Sequence, residues 1–249
     1  MKRSLGSLFA LVIIVGLVTV GCVCSGGNPI GGCLGIFTKP KDLGVSFTAA
    51  DISSASSKLG ITRSSDTLPP TTNPAQSIKW SGSKPVDATF NSRELTAILN
   101  TQSNWAFNPL KDMQMKVDNS GMAEMSGNLV VERVAGFAQA FGISQDVIKE
   151  ANDALKAAGG LGVNLPFYGK YNFKVVDNKF TAANVQEAML GPINLTREQV
   201  QQALPQLMRL AEQQTTKVPG YNVKLLEFVP NGIKFIGSLP NVAYAPAAR

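Results

Sequence analysis

From Pro109 to Leu129 the chain reads Pro-Leu-Lys-Asp-Met-Gln-Met-Lys-Val-Asp-Asn-Ser-Gly-Met-Ala-Glu-Met-Ser-Gly-Asn-Leu. Met113, Met115 and Val117 alternate with Gln114, Lys116 and Asp118. Beyond an Asn-Ser-Gly turn, Ala123, Met125, Gly127 and Leu129 alternate with Glu124, Ser126 and Asn128. Period-two alternation on both sides of a Gly-containing turn predicts a β-hairpin with one apolar face. The same arrangement returns from Pro219 to Leu239, where Val223 and Leu225 lead through Pro230-Asn231-Gly232 into Ile233, Phe235, Gly237 and Leu239.

A lone hairpin is barely stable in water, so each apolar face needs a cover, and the helix preceding it is the nearest candidate. Asn91-Ser-Arg-Glu94 has the capping-box pattern ahead of Leu95, Ile98 and Leu99. Thr196 and Gln199 have it ahead of Val200, Ala203, Leu204, Leu207 and Ala211, a run that Pro205 is expected to bend or split. A middle hairpin is expected from Tyr171, Phe173 and Val175, a turn at Asp177-Asn178, and a strand from Phe180 toward Met189. Apolar spacing marks a helical turn at Val134, Phe137 and Phe141, and Ser144 opens another helix through Ile148, Ala151 and Leu155 to Gly159-Gly160. The expected fold class is α+β, a curved sheet of antiparallel β-hairpins covered by amphipathic helices, with an internal helix-plus-hairpin repeat.

Composition narrows the chemistry. The chain of 249 residues has no histidine, which removes the commonest general base, the usual Ser/His and Cys/His nucleophile pairs, and the commonest nitrogen ligand for zinc. Its cysteines, Cys22, Cys24 and Cys33, all precede residue 34. No catalytic residue, metal site or cofactor is expected. Glu94, Glu124, Glu132, Asp146 and Glu227 read as caps or solvated faces, none with neighbours that argue for a shifted pKa. The formal charge of +6 is spread along the chain, so nucleic acid is not an expected partner.

Lys2-Arg3, apolar Leu5 to Val20 and Gly21-Cys22 have the parts of an export signal, with Cys22 the candidate site of lipid attachment and an uncleaved anchor the alternative. Either leaves the rest of the chain extracytoplasmic and tethered to a membrane. Three regions follow: residues 1–22 as signal or anchor, 23–76 as a Gly/Ser/Pro-rich tether with a short helix opened by Thr48-Ala-Ala-Asp51, and 77–245 as the compact α+β domain. A Cys24–Cys33 disulfide and the oligomeric state are left open.

The run Phe90-Asn-Ser-Arg-Glu-Leu-Thr-Ala-Ile-Leu-Asn100, with Pro-Leu-Lys-Asp-Met-Gln-Met-Lys-Val and the Ser-Gly-Asn-Leu strand, resembles a group of bacterial envelope lipoproteins that look related to small tubular lipid-binding (TULIP) proteins. The resemblance covers roughly residues 77–243. It implies a long helix wrapped by curved antiparallel strands around an apolar groove, and a lipid or other apolar molecule as ligand. Met113, Met115, Met125, Leu129, Phe173, Val175, Leu207, Leu225 and Phe235 are the candidates for lining that groove, each on the apolar face of its element. Leu226, Phe228 and Ile236 fall by parity on the opposite face from Val223 and Phe235, which suggests a buried sheet or a patch for a partner. The competing reading is a structural or interaction envelope lipoprotein without a small-molecule ligand, offering an edge strand to its partner.

Overall fold

A computed structural model describes residues 39–60, 68–101, 105–143, 145, 146, 148, 149, 164–191, 193–246 and 248. The elements are α1 (Ala49–Lys58), β1 (Ile78–Asn91), α2 (Ser92–Asn100), β2 (Leu110–Val117), β3 (Ala123–Val130), α3 (Val131–Ala140), β4 (Asn164–Val176), β5 (Lys179–Leu190), β6 (Ile193–Leu195), α4 (Arg197–Thr216), β7 (Asn222–Val229) and β8 (Gly232–Tyr244). The fold is α+β, with eight strands in one open antiparallel sheet.

β4 is the axis of the sheet. Residues 164–171 of β4 pair with β3 and residues 174–176 with β7, on one and the same edge, while β5 runs along the other. β7 and β3 therefore lie end to end, and the tips of their hairpins meet. There the Asn231 N–H donates to the Asp118 carbonyl at 3.0 Å. Gly121 has φ +78°, and a Cβ on it would sit 3.1 Å from the Phe228 carbonyl oxygen, so the junction needs glycine twice over. β2 flanks β3 on the outside, and β8 and β1 flank β7.

Both expected hairpins form, but their placement differs. The first joins β4 through its second strand and the second through its first strand. α2 covers β2 of the hairpin that follows it, whereas α4 packs backward onto β5 and not onto β7 and β8. Both first strands carry a β-bulge, an extra residue that resets which side chains face inward. In β2 the bulge follows Lys111, with Asp112 at φ 53°, and lets Leu110 and Met113 both be buried. In β7 the register shifts between Val223 and Leu225, so Val223 and Leu226 face inward together. This corrects the parity expected for β7: Leu226 pairs with Phe235 inside, and Leu225 pairs with Ile236 on the other face.

All three capping boxes are made. Asn91 Oδ1 accepts from Glu94 N at 3.0 Å and Glu94 Oε2 from Asn91 N at 2.9 Å. Thr196 and Gln199 exchange the equivalent bonds, and the Asp51 carboxylate accepts from Thr48 N. α4 runs unbroken through Pro205, so the proline does not split it. β1 is continuous past Gly82 and Pro85, with its register shift between Ser81 and Lys84.

The short helix placed in the tether packs on the body. Ala55 and Leu59 belong to the core, and Lys58 Nζ lies 2.7 Å from the buried Glu94 carboxylate. Among the described residues burial thus begins at Leu43, well before residue 77. Trp105, with no solvent exposure, plugs one end among Phe137, Phe141 and Tyr244 and donates from Nε1 to Ser77 Oγ at 3.1 Å. Of the expected Ser144 helix, Ser144, Val147, Ala151, Leu155 and Gly159-Gly160 lie outside the described residues, as do Cys22, Cys24 and Cys33.

Candidate functional site: an apolar cleft under α4

An unfilled apolar space lies between α4 and the β4–β5 hairpin. A chamber of about 120 Å³ opens there, walled by Val200, Leu204, Leu207 and Met208 from the helix, by Phe167, Tyr171, Phe173, Phe180 and Val185 from the hairpin, and by Met125 of β3 at its base. It adjoins an outer vestibule of about 450 Å³ that shares Phe180, Ala183, Leu204 and Met208 and adds Thr181, Gln201, Arg209 and Glu212. The wall is aromatic on one side. The Phe173 ring lies 5.3 Å from that of Phe180 and 5.0 Å from that of Phe228, and it stacks on Tyr171 at 6.1 Å.

Tyr171 is buried, its hydroxyl donates to the Met125 sulfur at 3.6 Å, and burial raises its pKa. A thioether is a weak acceptor, so this wall stays apolar and the phenol stays neutral. Glu212 Oε1 accepts from Phe180 N at 2.8 Å, tying the start of β5 to the helix at the vestibule.

Met125, Phe173 and Leu207 of the expected lining residues meet at this cleft. Met113, Met115, Leu129, Val175 and Phe235 are core residues elsewhere. The Met113 thioether lies over Gly127, where a Cβ would approach the sulfur to 2.4 Å, so a flexible side chain fills that hollow. Leu225 stands apart on the opposite face of β7 for the bulge reason given above. Phe167, Tyr171 and Phe180 of the wall and the helix residues Val200, Leu204 and Met208 were outside the expected set, although the period-two run of β4 and the helical spacing of α4 mark their apolar faces.

Two polar clusters carry shifted pKa values. The buried Glu94 carboxylate is held by Lys58, Ser54 and the Asn91 N–H. Burial pushes its pKa up, and the hydrogen bonds with the Lys58 charge outweigh that and hold it below the ordinary range. On the sheet's outer face, Tyr168 donates to Glu124 Oε2 at 2.6 Å, Lys41 Nζ is 3.1 Å from the same oxygen, and the Leu43 N–H donates to Gln114 Oε1 at 2.8 Å. The bond from Tyr168 lowers Glu124, while burial and Glu124 push Tyr168 up to about 12. These shifts, which the sequence did not announce, stabilise resting charge states; they fasten the segment from Lys41 to Leu43 across β2, β3 and β4. Among the described residues no group of three or more His, Cys, Asp or Glu is placed to hold a metal ion, and no helix is long and apolar enough to cross a membrane.

Fold and cleft together define an α+β protein with an open antiparallel sheet and an apolar recess beneath a helix. No family model, no curated protein and no solved structure matches the chain.

Proposed function

We propose that this chain is a membrane-tethered extracytoplasmic protein that binds a lipid or another apolar molecule in the cleft between α4 and the β4–β5 hairpin. The observation that carries the reading is the unfilled apolar chamber under α4, open toward a vestibule. An engineered apolar cavity of roughly 150 Å³ stays dry and takes benzene, so a chamber of this size accepts one small ring or the end of one acyl chain. The export signal, Gly21-Cys22 and the resemblance to tubular lipid-binding proteins support the same reading. In it Cys22 carries the lipid: a fatty-acid probe fed to cells labels the wild type and spares Cys22→Ser, and persistent labelling of that variant overturns this part.

Ligand binding is tested on the full chain in phosphatidylcholine vesicles with a photoreactive hexadecyl probe. Peptides from 180–188 and 200–212 are expected to carry the label. Label absent from both segments overturns the cleft as a binding site.

One observation favours the structural lipoprotein as a second reading. Val176, Leu225 and Ile236 form a partly exposed apolar row on the outer face of β4, β7 and β8, a surface suited to a protein partner. Strand addition at β2 is disfavoured in that reading, because α2 occupies the edge: Ser92, Thr96 and Asn100 hydrogen-bond the outward backbone groups of Val117, Met115 and Met113.

A further inference from the structure

The cleft has a polarity gradient along its length. The inner chamber is walled mainly by hydrocarbon and aromatic side chains, with Asn172 and Glu187 also on its lining, and the vestibule is the more polar part, where Thr181, Gln201, Arg209 and Glu212 stand. Burying a polar group without a partner is costly, so an occupant must enter apolar end first and leave its polar end at the mouth. A volume of about 120 Å³ has room for the end of one chain.

Charge at the mouth selects the head. Arg209 is exposed and makes no hydrogen bond or ion pair among the described residues, although Glu212 stands one helical turn further along α4. The Glu212 carboxylate is turned to the strand by its bond from Phe180 N. The vestibule therefore presents an uncommitted guanidinium, whose planar fork matches the oxygens of a carboxylate or a phosphate. Glu212 faces the same space and opposes an anion, so the head must sit on the Arg209 side.

Building on the cleft as the binding site, we infer that its ligand is a single-chain amphiphile with an anionic head, the chain end against Phe173 and Leu207 and the head on Arg209. A free fatty acid and a lysophosphatidic acid share this chemistry.

The test uses the full chain in phosphatidylcholine vesicles and three photoreactive probes with the same hexadecyl chain, an acid, a primary alcohol and a lysophosphatidic acid. Half-labelling of the 200–212 peptide is read as probe mole fraction in the membrane. An exposed charge pair is worth about a threefold preference. The acid or the phosphate is expected to reach half-labelling at about a third of the mole fraction that the alcohol needs. Whichever anionic probe shows the larger preference identifies the source. Arg209→Gln should abolish the preference, Arg209→Lys should keep part of it, and Glu212→Gln should widen it. Unchanged thermal unfolding of each variant excludes loss of fold as the cause. Equal labelling by all three probes in the wild type, or a preference that survives Arg209→Gln, overturns the anionic head and leaves the cleft standing. No cleft labelling by any probe overturns the cleft reading itself.

Discussion

Thr96 is the sharpest place to break the fold without touching the cleft. Its hydroxyl accepts from Met115 N at 3.0 Å and donates to the Met115 carbonyl at 3.2 Å. It thereby satisfies both outward backbone groups of a residue on the unpaired edge of β2. Thr96 and Met115 are each 1% exposed, so water cannot replace the lost bonds. Thr96→Val keeps the size and the methyl group and deletes only the hydroxyl. Each buried backbone group left unpaired costs about 1–3 kcal/mol, which puts the substitution, with two groups orphaned, at about 2–6 kcal/mol. That is a large part of the roughly 5–15 kcal/mol by which a domain is stable.

Urea unfolding followed by tryptophan fluorescence reads this cost as a lower midpoint at unchanged slope. Thr96→Ser is the control, because it keeps both bonds and loses one methyl group, about 1 kcal/mol. A Thr96→Val cost under about 0.5 kcal/mol, or a Thr96→Ser cost that equals it, refutes the view that α2 closes this edge.

Two further outcomes follow from the same interactions. Glu94 has its pKa held down in the folded state, so the unfolded chain binds more protons and stability rises with pH through the acid range; Glu94→Gln should remove its share of the loss below about pH 4.3, and an acid limb identical to that of the wild type counts against it. Ala183→Leu places three more carbons in the cleft, with a stability gain of up to about 2 kcal/mol, and should abolish cleft labelling; labelling that persists shows that the ligand lies elsewhere.

The parts of the fold encoded locally were readable. Period-two runs marked the hairpins, and the pairs Asn91/Glu94 and Thr196/Gln199 marked the starts of α2 and α4, because alternation and capping involve residues within a turn of one another. The bulges were not read, since one extra residue reverses parity without altering composition. Their trace is an apolar pair three apart at the head of each strand, Leu110 with Met113 and Val223 with Leu226. The closure of β2 also leaves a trace, in polar residues four apart along α2 at Ser92, Thr96 and Asn100. The cleft leaves almost none. It arises because α4 folds back over the hairpin before it, and no local rule selects that hairpin over the one that follows.

The contrast between two glycines shows how space is left at the cleft. At Gly127 the space above the missing side chain is taken by the Met113 thioether. At Gly169, on β4 beside the cleft, a Cβ would lie 3.5 Å from the Tyr171 ring, at ordinary contact distance, so that hollow is not filled. Facing residues do not compensate: Ala183 and Ala188 of β5 are small, and the buried stripe of α4 alternates Val200 and Leu207 with Ala203 and Ala211. Empty apolar volume costs roughly 24 cal/mol per Å³, so a chamber of about 120 Å³ costs up to about 3 kcal/mol when unoccupied. The partial opening to solvent lowers that figure. An occupant that seats its chain end there recovers the lost contacts. Its binding energy therefore comes first from a hollow that the small residues of β4, β5 and α4 leave, and the charge at Arg209 adds selectivity to an affinity the recess already supplies.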